Sequence, residues 1–253
     1  MLEIEGRFKL LLGAMRNWIA AVAVLVLSTF SSMPANGGSR FSVVPPDAEQ
    51  ARAFVYAGMS SEDCLKELSA RRVPFERIEE TKGVEMPIRF TGPIRGVRFR
   101  PLFQPQPEDR MHTTIADCRL GLALDDFAGV LAARGVVEAE YSSMYRRRGL
   151  GSIKPRKRHP GGRAIDIQKV KLNTGETYTV LGDFHGRVGV QTCGDKAVSP
   201  AKDTAGARFW RDVVCDLQEK RSFNLLLTPN HDWGHRDHLH MEVRSDIRWL
   251  LIQ

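Results

Sequence analysis

Residues 159–172 read HPGGRAIDIQKVKL and residues 231–243 read HDWGHRDHLHMEV. As an extended strand, the first stretch sends Ile165 and Ile167 to one side and Ala164, Asp166 and Gln168 to the other, because side chains alternate along a pleated backbone. In the second stretch Leu239, Met241 and Val243 share one face, and His238, His240 and Glu242 share the opposite one. Each strand thus has an apolar side for a core and a polar side for chemistry. His159 precedes Asp166 across a Pro160-Gly161-Gly162 turn. Glycine there permits positive φ and close approach, so a loop imidazole and a strand carboxylate can meet at one point. Two neutral imidazoles and one carboxylate leave a fourth tetrahedral position open, the arrangement of a catalytic rather than a structural zinc site, and amide hydrolysis is its natural chemistry.

The elements around these strands are mixed. Residues 47–59 and 60–70 read as two helices, with Ser60 and Asp63 at capping-box spacing. Residues 73–103 break into short β-like pieces punctuated by Gly83, Gly92, Pro93 and Gly96. The run from Cys118 to Arg134, with Leu120, Leu122, Leu124, Phe127, Val130 and Leu131, has the period of a buried helix ending at Gly135. Strands are expected at 136–145, 163–172 and 177–184, a long helix at 205–221, and strands again at the NLLLTPN and HLHMEV segments. That order predicts an α+β fold, a small antiparallel sheet flanked by helices, with an N-terminal helical and β extension. The domain reading is a leader over 1–35, a linker and N-terminal subdomain over 36–110, and a site-bearing domain over 111–253.

Length and composition agree with one main core: 253 residues, 42% of them hydrophobic, with no unit recurring at the spacing of solenoids or propellers. Trp18 to Phe30 is the one long apolar run, preceded by Arg7, Lys9 and Arg16 and followed by small and turn-forming residues. It spans only about 20 Å as a helix, short of a hydrocarbon core of about 30 Å, so it reads as a secretory signal, with a retained anchor as the alternative. Outside the cytoplasm, Cys64, Cys118, Cys193 and Cys215 read as two disulfides. Three pairings are open and the sequence does not choose; Cys64 with Cys118 and Cys193 with Cys215 is the expectation. The net charge of +7 is a modest basic excess. Much of it lies in residues 146–163, which hold eight Arg and Lys residues and no acid. Export, a lack of interleaved aromatics and the position beside His159 favour anionic wall polymer or peptide carboxylates over nucleic acid.

With these residues in view, the sequence resembles a known group. HPGGRAID matches HxxGxAxD and DHLH supplies HxH, the motifs of zinc peptidases that include D-alanyl-D-alanine carboxypeptidases, murein endopeptidases and lysostaphin-related enzymes. Within that group it is most similar to the extensin-like C-terminal domain family, clearly so from about Cys118 to Val243. The resemblance implies zinc held by His159, Asp166 and His240, His238 as the catalytic histidine, and His235 as an assisting one. It also implies that Arg146, in a Ser143-Met144-Tyr145-Arg146 stretch similar to SxYR, binds a substrate carboxylate or the developing oxyanion. Asp237 and Glu242 are candidates to orient the imidazoles. His112, His185 and His231 read as ordinary surface or core histidines. Two departures stand out: Lys157 replaces a serine common in relatives, and Met144 occupies a place where extensin-like relatives often carry cysteine, so their disulfide pattern does not transfer. The implied function is zinc-dependent hydrolysis of amide bonds in peptidoglycan stem peptides or cross-links, in the periplasm or after secretion. The alternative is a catalytically silent, metal-bearing module that binds the cell wall.

Overall fold

Residues 42–43, 47–147 and 158–253 are described by a computed structural model. The expected leader, most of the linker and the basic residues Arg148, Lys154, Arg156 and Lys157 lie outside the described residues.

In chain order the strands are β1 (Ser42–Val43), β2 (Phe75–Arg77), β3 (Pro87–Phe90), β4 (Arg98–Pro101), β5 (Ala116–Asp117), β6 (Val136–Tyr141), β7 (Ala164–Leu172), β8 (Thr177–Thr179), β9 (Leu225–Leu227), β10 (Leu239–Glu242) and β11 (Leu250–Ile252). The helices are α1 (Arg52–Gly58), α2 (Ser61–Ala70), α3 (Cys118–Ala132), α4 (Val180–Asp183) and α5 (Ala205–Lys220). The main sheet runs β1-β11-β9-β10-β7-β6-β4, with β8 also on β7, and β2-β3-β5 form a second, three-stranded sheet. The main sheet is antiparallel through its centre and parallel at the β4/β6 and β9/β11 pairs. The fold is α+β, as the order of elements predicts.

The core lies between the main sheet and the helices α3 and α5. Ile165, Ile167 and Val170 of β7 and Leu239 and Met241 of β10 enter one cluster with Leu120, Leu124 and Phe127 of α3 and Trp210, Val213 and Val214 of α5. Because Ile165 and Ile167 of β7 and Leu239 and Met241 of β10 alternate into that core, the opposite face of this part of the two strands is left to carry polar groups; past Ile167 the register shift against β6 breaks the alternation, and Val170 also enters the core. The N-terminal segment shares this packing: Tyr56, Leu68, Ile88 and Phe99 belong to the same cluster, and β4 pairs with β6.

Helix α3 is buried nearly all round, including Arg119, Asp125 and Asp126. Such charges must be paired. Asp126 accepts from Arg52 Nη1 at 2.8 Å and from Tyr56 Oη at 2.8 Å, and also from the Ser222 hydroxyl. Asp125 takes a two-pronged contact from Arg95 at 2.7 and 2.8 Å. Arg119 reaches the Met59 carbonyl at 2.7 Å and Glu85 at 2.8 Å.

Three local expectations are corrected; in the first, the strand expected over 136–145 ends at Tyr141, beyond which Met144 N turns to the Thr113 carbonyl at 2.9 Å. The helix expected over 47–59 is split into a 3-10 turn (Ala48–Gln50) and α1, because Ala51 between them is extended at ψ 133°. The strand expected over 177–184 stops at Thr179. There the Thr179 hydroxyl accepts from Gly182 N at 3.0 Å while Asp183 accepts from Thr179 N at 2.7 Å, a reciprocal cap that starts α4. Ser60 caps α2 as its spacing predicts, accepting from Asp63 N at 3.1 Å. The disulfides are Cys64–Cys118, tying α2 to the start of α3, and Cys193–Cys215, tying a loop to α5, and they fit an oxidising extracellular or periplasmic compartment. Among the described residues no helix is long and apolar enough to cross a membrane.

Gly162 joins the fold to the site. It has φ +63°, and a Cβ there would lie 2.7 Å from the Asp117 backbone nitrogen. Gly162→Ala combines a left-handed penalty of about 1–2 kcal/mol with this backbone clash. It is expected to lower the thermal midpoint by about 5 °C. Gly58→Ala, where nothing lies within 4 Å, should leave the midpoint unchanged or slightly raised; calorimetry of the two variants checks this.

Candidate metal centre

Asp166 is third in β7 and His240 second in β10, and the antiparallel register sets them directly opposite one another. His159 opens a 3-10 turn (His159–Gly161) that Gly162 closes in the left-handed conformation, which doubles the chain back onto β7. His159 Nε2 then lies 3.2 Å, and His240 Nδ1 2.6 Å, from the same Asp166 oxygen, Oδ1. One ligand atom from each of the three residues falls within 4.8 Å of the others. All three side chains are buried, between 4% and 7% exposed.

The outer nitrogens are anchored. His159 Nδ1 is 3.3 Å from the Met144 carbonyl. A carbonyl only accepts, so Nδ1 carries a proton there, and a ring that gives up its other proton would present the Nε2 lone pair to an ion held between it and Asp166. His240 Nε2 faces Glu242 Oε1 at 2.5 Å, which leaves Nδ1 to the centre. Glu242 is fully buried, and Arg158 at 3.3 Å and Arg244 at 3.5 Å balance its charge. The second oxygen of Asp166 accepts from Arg146 Nη2 and, at 3.2 Å, from Ser142 Oγ. A carboxylate held from behind, with two imidazoles steadied by an acceptor on the far side, is the arrangement that orients metal ligands.

The electrostatics follow these contacts. Burial alone raises the Asp166 carboxyl, but hydrogen bonds from His159 and His240 overcome it and hold the group far below the usual carboxylate range. Burial pushes His159 down against the pull of Asp166. His240 is also penalised by burial, yet Asp166 and Glu242 on its two sides push it up to about 9.

His238 stands just outside the triple. Its Nδ1 lies 2.8 Å from Asp237 Oδ1 and its Nε2 lies 3.7 Å from Asp166 Oδ1. His235 stacks near it, with ring centroids 5.2 Å from His238 and 5.7 Å from His240, while its Nδ1 meets Asp232 Oδ1 at 2.8 Å. The structure thus gathers His159, Asp166, His240, His238, His235 and Arg146 in one neighbourhood, with Arg146 resting on Asp166. His112 meets Arg147 Nη2 at 2.9 Å. Sequence reading missed Ser142, although it precedes the SxYR-like stretch directly. It also missed the Met144 carbonyl, since a backbone acceptor leaves no mark in residue type. His231, read as an ordinary histidine, lies with Asp232 and His235 in a second group whose ligand atoms fall within 4.8 Å of one another. The signal was there, as a histidine pair four apart with an aspartate inside.

The family model described as extensin-like protein C-terminus matches residues 62–251, which include every residue of this centre. The chain belongs to that family. No curated protein and no solved structure matches it.

Proposed function

We propose that the protein is a zinc-dependent peptidase that hydrolyses amide bonds in peptidoglycan stem peptides or cross-links, in the periplasm or after secretion. The observation that carries this reading is the convergence of His159 Nε2, Asp166 Oδ1 and His240 Nδ1 beside an additional, carboxylate-oriented histidine, His238. A donor set of two imidazole nitrogens and one carboxylate oxygen suits zinc and leaves room for a fourth ligand. When bound, zinc would supply Lewis acidity, activating water and polarising the scissile carbonyl.

The side chains around the centre have separable tasks. His159, Asp166 and His240 would hold the ion, and Glu242 and the Met144 carbonyl fix the tautomers that make this possible. His238 is turned by Asp237 so that Nε2 faces the centre, where it would take a proton from the attacking water and return it to the leaving amine. Arg146 has a half-exposed side chain, and its guanidinium can serve both Asp166 and a substrate carboxylate or oxyanion. A cavity of about 1080 Å³ is lined by Pro160, next to His159, and by Tyr145 and Arg147, which flank Arg146, but by none of the six site residues themselves, so it adjoins the centre without containing it. Its walls carry Lys82, Arg89, Arg110 and Arg147 alongside Glu79, Glu80 and Asp109. Mixed charge of this kind suits a peptide bearing both amine and carboxylate groups better than a uniform polyanion.

Asp166→Ala is expected to lower the zinc content of the purified protein by one ion per chain, measured by elemental analysis. Glu242→Gln should retain that ion with about 10–100-fold weaker affinity. His238→Ala should keep the ion and lose turnover by about 100-fold or more, read by mass spectrometry of muropeptides incubated with the zinc-loaded protein. Loss of the ion in His238→Ala would overturn the division of roles. Absence of any new muropeptide with the unaltered protein would move the reading to a wall-binding module.

A further inference from the structure

We propose that His231, Asp232 and His235 form a second site for a borderline divalent transition-metal ion, of the zinc or nickel class, beside the first centre. The three side chains each offer one ligand atom, all within 4.8 Å of one another. They come from a single HDWGH segment, so local geometry alone brings them together. Asp232 precedes the 3-10 turn Trp233–His235 and caps it, Oδ1 accepting from His235 N at 3.2 Å. The cap folds the turn back on itself and lays the His235 ring over the carboxylate, Nδ1 to Oδ1 at 2.8 Å. His231 Nε2 approaches the other oxygen, Oδ2, at 3.5 Å.

An independent feature concerns the far side of His231. Its Nδ1 lies 3.0 Å from Gln253 Oε1. Gln253 is 4% exposed, and its amide is oriented by donation from Nε2 to the Asn230 carbonyl at 3.3 Å. With the amide so placed, Oε1 accepts from the Nδ1–H of His231, and the lone pair of Nε2 is left facing Asp232. A ring whose outer N–H is tied to a buried carbonyl oxygen is the arrangement that supports a metal-ligating imidazole. The His231–Gln253 contact therefore does for this triple what the His159–Met144 contact does for the first.

Two imidazoles and a carboxylate select borderline divalent ions over magnesium or calcium, which demand oxygen-rich shells. All three ligands are only partly buried, and Trp233 between them is 73% exposed. The ion would exchange with solvent more readily than one at the buried centre and bind more weakly. Its charge would sit against His235, whose ring is 5.2 Å from that of His238.

The inference concerns ion binding and is independent of the peptidase reading. The test is calorimetric titration of the full chain with zinc chloride, with zinc content checked by elemental analysis. The unaltered protein should bind two ions, Asp166→Ala one, His231→Ala one, and the double variant none. Asp232→Asn serves as a conservative second variant: asparagine caps a turn as well as aspartate does, so the fold is kept while the weaker site should lose at least tenfold in affinity. The proposal is overturned if Asp166→Ala binds no ion, or if His231→Ala and Asp232→Asn titrate like the unaltered protein. In the second case the first centre stands untouched; loss of a single ion in Asp166→Ala, with no new muropeptide formed by the unaltered protein, would fail the peptidase reading and leave the second site intact.

Discussion

Asp166 is a carboxylate at 4% exposure, and an ion removed from water to that degree costs several kcal/mol unless its neighbours replace the lost solvation. Four groups do so here: His159 and His240 on one oxygen, Arg146 and Ser142 on the other. They arrive from three segments of the chain, and the two imidazoles are steadied on their far sides by the Met144 carbonyl and Glu242. The tight turn through Gly162, the register of β7 on β10 and the placement of Glu242 can all be understood as consequences of keeping that one charge compensated.

The scaffold repeats this logic away from the site. Helix α3 carries Asp125 and Asp126 into the interior, and their partners lie in three separate segments: Arg52 and Tyr56 in α1, Arg95 before β4 and Ser222 just after α5. Several donors share each of these buried charges, Arg71 reaching both at 3.4 Å, so the network ties α1, the loop before β4 and the end of α5 to the same helix. The Cys64–Cys118 disulfide fastens α2 to it covalently. Because α3 packs against the apolar side of β7 and β10, stiffness there is passed to the strands that hold Asp166 and His240. A centre whose ligand atoms must stay within a few tenths of an ångström is served by such a rigid backing.

Much of this was legible before any coordinates. The α3 period, the α5 helix and the alternating strands depend on local pattern and a hydrophobic demand that any core imposes, and they are found where the sequence places them. The strand expected to run through residue 184 stops short because a reciprocal cap between Thr179 and Asp183 outweighs β-propensity in so short a piece. The division of 47–59 was hidden because Ala51, a strong helix former by residue type, is extended here, buried in a small cluster with Ala53, Phe54 and Leu250. In the site, residue types pointed to His159, Asp166, His238 and His240, whereas Ser142 and the Met144 carbonyl gain meaning only from position.

Pleat geometry assigned faces from the sequence alone: residues two apart on a strand share a side whatever surrounds them, so Asp166 and His240 had to lie opposite the apolar set on their own strands. Register was another matter. Whether His240 stands across from Asp166 or one pair away depends on how Leu239 and Met241 seat against α3 and α5, a long-range packing outcome that no local pattern encodes. The same holds for the partners of His231, since Gln253 joins it from the far end of the chain. Disulfide pairing was likewise decided only when folding brought Cys64 to Cys118 and Cys193 to Cys215, because four thiols in one sequence carry no distances between them.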